Sequence, residues 1–577
     1  MLEEHDILNK DDLSFEPNLK DYEATYKDFK WEDHHDELSW WVEGKLNAAY
    51  NAIDRHVENG KGDKIALIYL DDNGTRNTYT FSDLKRESDK FANALTNLGI
   101  KKGDRVFLFM PRIPEQYIAF LGALKTGAIG GTLFQAFGPA ALKDRLQDCG
   151  AIALVTSQDL KSRVYEVKDD LPELKHIIVA GGDEDGELDV SFERIMGEAS
   201  EEFDCVHTDA EDPAFMLYTS GTTGKPKGVV HVHMSVLQQH MTAKWVLDIK
   251  DSDIYWCTAD PGWVTGIAYT ILGTWSNAVT SVVHNGRFKP ERWYQILQDE
   301  KVTVWYTAPT AIRMLMKAGD EAPKGFDLSG VRHALSVGEP LNPEAIKWGA
   351  AALNMKFHDT WWQTETGAMM IVNYACLPIR IGSMGKPFPG IHPAIVDDEG
   401  KELGPHQEGN LCVKPGWPSM MRSVWGRQEK YDSYFQHGWY VTGDRAYKDE
   451  DGYVWFVGRA DDVIKTAGER VGPFEVESAL VEHPAVVEAG VIGKPDPDRG
   501  QIIKAFVTLA PDRQPNDELA EELKQWVKKH MAGHAYPREI EFRDSLPKTR
   551  SGKIMRRVLK AEELGQDVGD TSTMEDL

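Results

Sequence analysis

Hydrophobic residues along this chain fall into short unbroken runs separated by amphipathic stretches, the pattern of buried strands alternating with surface helices. Lys64-Ile65-Ala66-Leu67-Ile68-Tyr69 opens the series as a strand. Asp71-Asp72-Asn73-Gly74 follows as a hairpin turn with the favoured Asn-Gly pair, and Thr78-Tyr79-Thr80 returns. Ser82-Asp83-Leu84 reads as the cap of a helix running to about Leu98. A strand over 104–110 and a helix over 116–125 come next. Apolar runs at 152–155, 177–180, 215–218, 254–258, 279–283, 302–306 and His333–Val337, most of them separated by helical patterns, extend the series. That rhythm predicts an α/β fold of layered sheets flanked by helices.

From about residue 382 the pattern shortens to small strands and turns, such as Ala394-Ile395-Val396 before Asp397-Asp398-Glu399-Gly400, and predicts a β-rich subdomain. After Gly458-Arg459-Ala460-Asp461-Asp462 the chain restarts with Val491-Ile492, 505–509, the helix Asp517–His530 and the strand Glu539–Phe542. The predicted organisation is an N-terminal extension over 1–60, a large domain over 61–460 and a small α+β domain over 461–577. The extension is expected to pack on the body through Trp31, Trp40, Trp41 and a helical stretch from Leu46 to Ile53. Residues 261–286 carry no formal charge and are long enough to span a bilayer. Pro261, Gly262, Gly266, Gly273 and Asn277 make a buried strand–helix segment the better reading.

The 577 residues leave room for several domains, and composition is ordinary for a globular protein. A net charge of -27 argues against nucleic acid or an anionic membrane surface as partner. It also means that any polyphosphate must be held by local positive charge. Cys149, Cys205, Cys257, Cys376 and Cys412 are far apart and form no C-x-x-C pair, which fits a reducing compartment better than a disulfide framework or zinc site. Met1-Leu2-Glu3-Glu4-His5-Asp6 lacks the apolar core of a signal peptide. A soluble, cytoplasmic protein is the expectation.

Against that background one stretch stands out: Tyr218-Thr219-Ser220-Gly221-Thr222-Thr223-Gly224-Lys225-Pro226-Lys227-Gly228. Glycines let a backbone fold tightly around an oxyanion, hydroxyls add donors and lysines add charge, so this is phosphate chemistry. It is not the Walker loop, because Thr219 fills the first glycine position and Pro226 follows Lys225. The residues alone also allow a flexible surface loop. Thr360-Trp361-Trp362-Gln363-Thr364-Glu365-Thr366-Gly367 could wall a small pocket and hold a magnesium ion, or form a capped core edge. Ser336-Val337-Gly338-Glu339-Pro340 follows a strand where open α/β sheets bind ligands. Tyr440-Val441-Thr442-Gly443-Asp444 reads as a carboxylate at a tight turn. Five basic residues, Lys548, Arg550, Lys553, Arg556 and Arg557, gather around Ser551-Gly552 in an otherwise acidic chain.

In this order, and with Gly458-Arg459 and Gly468-Glu469-Arg470-Val471, these stretches resemble the motifs of the acyl-activating, adenylate-forming synthetases from about Leu46 to about Leu559, and within them the shorter acetate-activating enzymes. The resemblance implies two half-reactions: a carboxylate attacks the α-phosphate of ATP to give acyl-adenylate and pyrophosphate, then the coenzyme A thiol displaces AMP. It further implies that Thr219, Ser220, Gly221, Thr222, Thr223, Gly224, Lys225 and Lys227 grip the β- and γ-phosphates. Gly338, Glu339 and Pro340, with Asp359, Thr360, Trp361, Trp362 and Gln363, would flank the adenine. Thr364 would touch the α-phosphate, Glu365 hold Mg²⁺, Asp444 and Arg459 take the ribose, and Arg470 approach phosphate. Lys553 would bridge the attacking carboxylate and the α-phosphate in the first half-reaction only. A second cation site of backbone carbonyls would fall at Val481, His483 and Val486.

By the same resemblance Trp362 stands where medium-chain relatives have glycine, and Trp263, Val264, Thr265 and Val337 match the other walls. That implies acetate as substrate, with propionate poorer but not excluded. The small domain is implied to rotate about a hinge near Asp461, bringing Gly468 to line a thiol tunnel. Relatives carry an arginine before the stretch matching His534-Ala535-Tyr536-Pro537 to hold the CoA phosphate; here Lys161 and Arg163 are the substitutes. Other departures are Ala467-Gly468-Glu469-Arg470 in place of Ser-Gly-His-Arg and Phe134-Gln135-Ala136-Phe137-Gly138 without paired glycines. The Lys553 loop also resembles a target of regulatory lysine acetyltransferase and deacetylase enzymes. A propionyl- or general short-chain acyl-CoA synthetase is the nearest alternative. A carrier-linked adenylation domain would need a Gly-Gly-x-Ser motif, and a non-catalytic nucleotide binder would have lost Lys553, Asp444 or Glu365.

Overall fold

The computed structural model describes the chain except residues 1–6, 10–12, 14, 220–225, 467–468, 498, 512, 532–534, 550–552, 570, 572–573 and 575–577, and the side chain of Arg470. Two large sheets form its body. The first has eight strands in the order Ser423–Val424, Lys227–Val232, Pro213–Thr219, Ile129–Leu133, Arg105–Phe109, Ala153–Ser157, His176–Ala180 and Asp189–Ser191. It is parallel from Pro213–Thr219 onward and antiparallel at the other edge. The second has nine strands. Its parallel centre runs Phe357–Trp361, His333–Val337, Val304–Thr307, Ile254–Cys257, Thr280–Asn285 and Ile65–Asp71. Strands covered on both faces read as unbroken apolar runs, which is why the sequence shows them so clearly.

The hairpin expected at 71–74 forms, with the Asp71 carboxylate accepting from the amides of Asn73 and Thr75 at 2.9 and 2.8 Å. The following helix is Phe81–Asn97, and its cap is Thr80, not Ser82. Thr80 Oγ1 accepts from the Asp83 amide at 3.1 Å while the Asp83 carboxylate accepts from the Thr80 amide at 2.9 Å. This reciprocal capping box places Ser82 inside the first turn. Residues 261–286 become helical turns from Val264 to Trp275 and then the strand Thr280–Asn285. Trp275 is fully buried there, its indole donating to the Ala66 carbonyl at 3.0 Å. Among the described residues no helix is long and apolar enough to cross a membrane.

The N-terminal residues lie across the body. Ile7–Leu8 pairs antiparallel with Ile379–Arg380. The Tyr22 hydroxyl donates to the Pro387 carbonyl at 2.8 Å, and that of Tyr26 to Ile391 at 3.0 Å. Beyond the second sheet, a five-stranded β-rich sheet contains Pro393–Val396, Gly409–Val413, Trp439–Lys448, Phe435–Gln436 and Val454–Arg459. The small C-terminal domain has its own five-stranded sheet and its own core around Ile464, Val476, Leu480, Val491, Val507 and Leu523. None of the five cysteines is in a disulfide, and all but the half-buried Cys205 are buried.

Candidate active site

The second large sheet, the β-rich sheet and the small domain converge on the carboxyl ends of His333–Val337 and Phe357–Trp361, where open α/β sheets take ligands. Gly338, just past the first strand, has φ +95°, a conformation side chains disfavour, and the turn it allows aims Glu339 back at the body. There Glu339 accepts from Thr310 Oγ1 at 2.6 Å and pairs with Arg313 at 2.8 Å. Asp359, on the neighbouring strand, accepts from Ser336 Oγ at 2.6 Å. Burial pushes its carboxyl up to about 7, against the pull of that hydroxyl and of nearby amides.

Tyr440 to Asp444 do not form the tight turn expected of them. They lie inside the continuous strand Trp439–Lys448, where Thr442, Gly443 and Asp444 together stand opposite the single residue Leu411. The physical reason is a bulge: Gly443 takes φ +75°, and Thr442 Oγ1 fills the broken ladder by donating to the Leu411 carbonyl at 2.7 Å. The bulge turns Asp444 out of the sheet into a ring of donors. Trp361 Nε1 reaches its carboxylate at 2.9 Å, Gln363 Nε2 at 3.2 Å and Arg459 Nη1 at 3.0 Å. Burial raises the Asp444 carboxyl above its ordinary value, and Arg459 opposes that rise. Gln363 is itself fixed, donating to the Thr442 carbonyl at 2.8 Å and accepting from Tyr440 at 2.9 Å.

Lys227 and Glu365 meet beside this ring, next to Tyr434, which stacks on Tyr440. Lys227 lies directly across from Thr219, at the two strand ends from which the glycine-rich loop leaves and returns. Its ammonium is 2.8 Å from Glu365 Oε1 and also donates to the Tyr434 hydroxyl, which in turn donates to Glu365 Oε1 at 3.0 Å. Burial alone would raise the Glu365 carboxyl; Lys227 outweighs it and holds the group below the usual range, so it stays ionised. A shielded, ionised carboxylate that already holds one cation has the hard oxygen chemistry Mg²⁺ takes. The Thr219 hydroxyl is buried with no hydrogen-bond partner among the described residues, a donor left over for an incoming oxyanion. Residues 220–225, Gly468 and the side chain of Arg470 lie outside the described residues.

Trp362 sits behind the adjacent strand end and is clamped. Its indole N–H donates to the Tyr306 hydroxyl at 3.2 Å, and its face meets Tyr269 edge-on at 5.2 Å. Tyr306 is bonded to Thr360 Oγ1 at 2.7 Å; Tyr269 is bonded to Thr242 Oγ1 and to the Met369 amide, each at 2.8 Å. Val264, Val337 and Trp362 belong to one apolar cluster, and Thr265 is buried beside Val264. Trp263 packs on Phe134 at 5.6 Å, and Phe134 lines a neighbouring cavity of about 780 Å³. Arg112, Arg163 and Arg287 line the same cavity. Of the two residues expected to hold a CoA phosphate, Arg163 therefore borders open space. Lys161 is instead buried against Asp189 at 2.7 Å.

Lys553 stands exposed at the mouth of the cleft, its amide bonded to Thr549 Oγ1 at 3.0 Å. Enough protein surrounds its ammonium to lower its pKa; Arg459 lowers it further, while Glu339 and Asp444 oppose. Arg556, three residues on, is pinned by Glu477 at 2.5 Å, which fixes the start of the last helix, Arg556–Leu564. The carbonyls of Val481, His483 and Val486 lie where the helix Pro473–Val481 ends and the strand Val486–Asp496 begins, and that of His483 already accepts from the Val486 amide at 2.9 Å. Sequence reasoning missed Tyr434, Tyr306, Arg112 and Arg287. Tyr434 is 207 residues from Lys227, and no local pattern marks it.

Comparison with known proteins agrees with this geometry. The chain is 56% identical to an acetyl-coenzyme A synthetase of Bacillus subtilis (strain 168), over 97% of this chain and 98% of that one. It is 44% identical to an acetyl-coenzyme A synthetase of Rubrobacter xylanophilus, over 94% and 88%. Among solved structures it resembles an anthranilate CoA ligase in complex with anthranoyl-AMP, with TM-score 0.84, 30% identity and coverage of 93% and 99%. A Brucella canis acyl-CoA synthetase gives TM-score 0.75 at 37% identity, with coverage of 95% and 99%. Residues 53–425 match the AMP-binding enzyme family and residues 475–553 its C-terminal domain. Matched by both family models and by a relative over nearly its whole length, the chain belongs to the AMP-binding enzyme family.

Proposed function

We propose that the chain is an AMP-forming acetate–CoA ligase, converting acetate, ATP and coenzyme A into acetyl-CoA, AMP and pyrophosphate through an enzyme-bound acetyl-adenylate. The acetyl-coenzyme A synthetases it resembles over nearly its full length support the reaction. The observation that supports the choice of acid is the indole of Trp362, held by Tyr306 and Tyr269 at the position read as the floor of the acyl pocket, where it would disfavour a longer chain.

In the first half-reaction an acetate oxygen attacks the α-phosphorus and the bond to pyrophosphate breaks. No protein nucleophile is required, so the enzyme's work is positioning and charge stabilisation. Asp444 takes the ribose hydroxyls, with Arg459, Trp361 and Gln363 setting its angle. Asp359 and the turn at Gly338 to Pro340 frame the adenine. Thr364 and Lys553 meet the α-phosphate, and Lys553 also neutralises the incoming carboxylate. Thr219 and Lys227, with the loop they bracket, face the β- and γ-phosphates, and Arg470 approaches phosphate from the small domain. Glu365 holds the magnesium ion, which when bound offsets phosphate charge. In the second half-reaction the thiol attacks the acyl carbon and AMP leaves with the carboxyl oxygen. Arg163, with Arg112 and Arg287 beside it, supplies the positive charge for the CoA phosphates.

The small domain is taken to begin at 461, with Asp461 as hinge, and to move Lys553 out of the cleft between half-reactions. The exposed Lys553 is also available to a lysine acetyltransferase, and the carbonyls of Val481, His483 and Val486 to a structural cation. The test is release of AMP and pyrophosphate with acetate or propionate, with and without CoA. Acetate should be the better acid, and AMP should leave at a steady rate only when CoA is present. Equal rates on the two acids would favour a general short-chain acyl-CoA synthetase.

A further inference from the structure

Glu365 offers one carboxylate, and Lys227 already occupies it. The ammonium lies 2.8 Å from Oε1, donates to the Tyr434 oxygen, and sits 4.8 Å from the centre of the Tyr434 ring. Tyr434 donates to the same Oε1 at 3.0 Å and is stacked on Tyr440, which is fixed through Gln363. Both ion-pair partners are largely shielded, with side-chain exposures of 10% and 14%. This is a built arrangement and not a loose surface pair. A divalent ion needs its ligand oxygen at about 2.0–2.1 Å. It would then stand a few ångströms from a fixed ammonium, in a place where water screens little.

We propose that Lys227 is a plug for the metal site: without nucleotide its ammonium neutralises Glu365 and keeps divalent cations out, and the polyphosphate opens the site by drawing that ammonium to itself. Lys227 is placed to do both. It lies opposite Thr219, whose buried hydroxyl has no partner among the described residues, and a triphosphate carries more negative charge than one carboxylate. Moving the ammonium from Glu365 to phosphate removes the competing charge from the carboxylate, while Tyr434 keeps it in place through its own bond to Oε1. Metal and nucleotide therefore enter as a unit. Free divalent cations at cellular concentration do not load the empty enzyme, and the metal carboxylate becomes available only once the polyphosphate is bound.

The inference rests on the reading of Glu365 as the metal carboxylate, and the two can be separated. The probe is Mn²⁺, followed by the loss of its free-ion electron paramagnetic resonance signal on titration into the full-length protein. The arms are with and without an α,β-methylene analogue of ATP, whose bond between the α-phosphorus and the leaving pyrophosphate cannot be cleaved. With the Mn²⁺ taken up by the analogue alone subtracted by means of a protein-free titration, wild type should bind Mn²⁺ weakly alone and at least about tenfold more tightly with the analogue. Lys227→Met and Lys227→Gln should each bind Mn²⁺ without nucleotide at least about tenfold more tightly than wild type, as expected for removing one charge from a shielded pair. Tyr434→Phe should fall between. A circular dichroism melt identifies any variant that has not folded, and the two substitutions at 227 serve as replicates. If folded Lys227 variants bind Mn²⁺ no better than wild type, the plug is wrong. If Glu365→Gln leaves Mn²⁺ binding in the analogue complex intact, the metal assignment itself has failed.

Discussion

Replacing Trp362 with glycine should turn an acetate enzyme into one that accepts longer acids, and the size of the change can be worked out from the clamp around the indole. In wild type a longer acid must push the ring aside. That breaks the 3.2 Å bond to Tyr306, worth about 1 kcal/mol, and the edge-on contact with Tyr269, worth about 0.5–1.5 kcal/mol. Neither tyrosine can yield, because both hydroxyls are tied to neighbours at 2.7 and 2.8 Å. Without the indole, each added methylene gains about 0.8 kcal/mol of burial. Butyrate, with two methylenes more than acetate, should then gain about 1.6 kcal/mol, or roughly 15-fold in kcat/KM relative to acetate. The assay is pyrophosphate release at matched ATP and CoA across acetate, propionate, butyrate and valerate. A folded variant that keeps acetate activity yet gains nothing on butyrate would falsify the pocket assignment.

Three other substitutions probe the rest of the cleft. Lys553→Ala should abolish formation of acetyl-adenylate from acetate and ATP, while supplied acetyl-adenylate plus CoA still yields acetyl-CoA; loss of both activities would sink the two-arrangement reading. Asp444→Ala removes a charged acceptor, a loss of about 1.5–3 kcal/mol, so KM for ATP should rise about 10- to 100-fold, and an unchanged KM would remove Asp444 from the ribose site. Glu475, on the small-domain helix Pro473–Val481, is raised from an ordinary 4.5 to about 7, first by burial and then by Glu408 of the β-rich sheet. A carboxyl raised in the docked state leaves docking at full strength below pH 4.5 and weakens it by about 1.4 kcal/mol per pH unit up to about pH 7, after which nothing more is lost. Glu475→Gln should remove that loss, so its melting temperature should exceed that of wild type above pH 7 and converge with it toward pH 4.5. Parallel pH profiles would contradict the docked geometry.

The strands were legible because burial on both faces writes them as apolar runs, and the phosphate loop because glycine and hydroxyl chemistry is local. The cap at Thr80 was misread by two positions because Ser82 is an equally good capping residue in isolation; only the reciprocal bond with Asp83 decides. Gly443 looked like a turn for a similar reason. A glycine at positive φ serves turns and bulges alike, and which one forms depends on the partner strand carrying Leu411. Tyr306, Tyr269 and Tyr434 left no trace in the sequence. Their importance is that their hydroxyls meet residues from distant segments, and an ordinary core tyrosine has the same neighbours in sequence.

The first sixty residues set the order in which this protein can be made. Tyr26 closes a contact with a residue 365 positions later, and Ile7–Leu8 waits for Ile379–Arg380. During synthesis the start of the chain emerges long before the strands and carbonyls that receive it. Phe29 and Trp31 pack on Phe388, so part of their covering is made only after translation has passed that residue. These long-range contacts therefore close only after most of the intervening chain has been made.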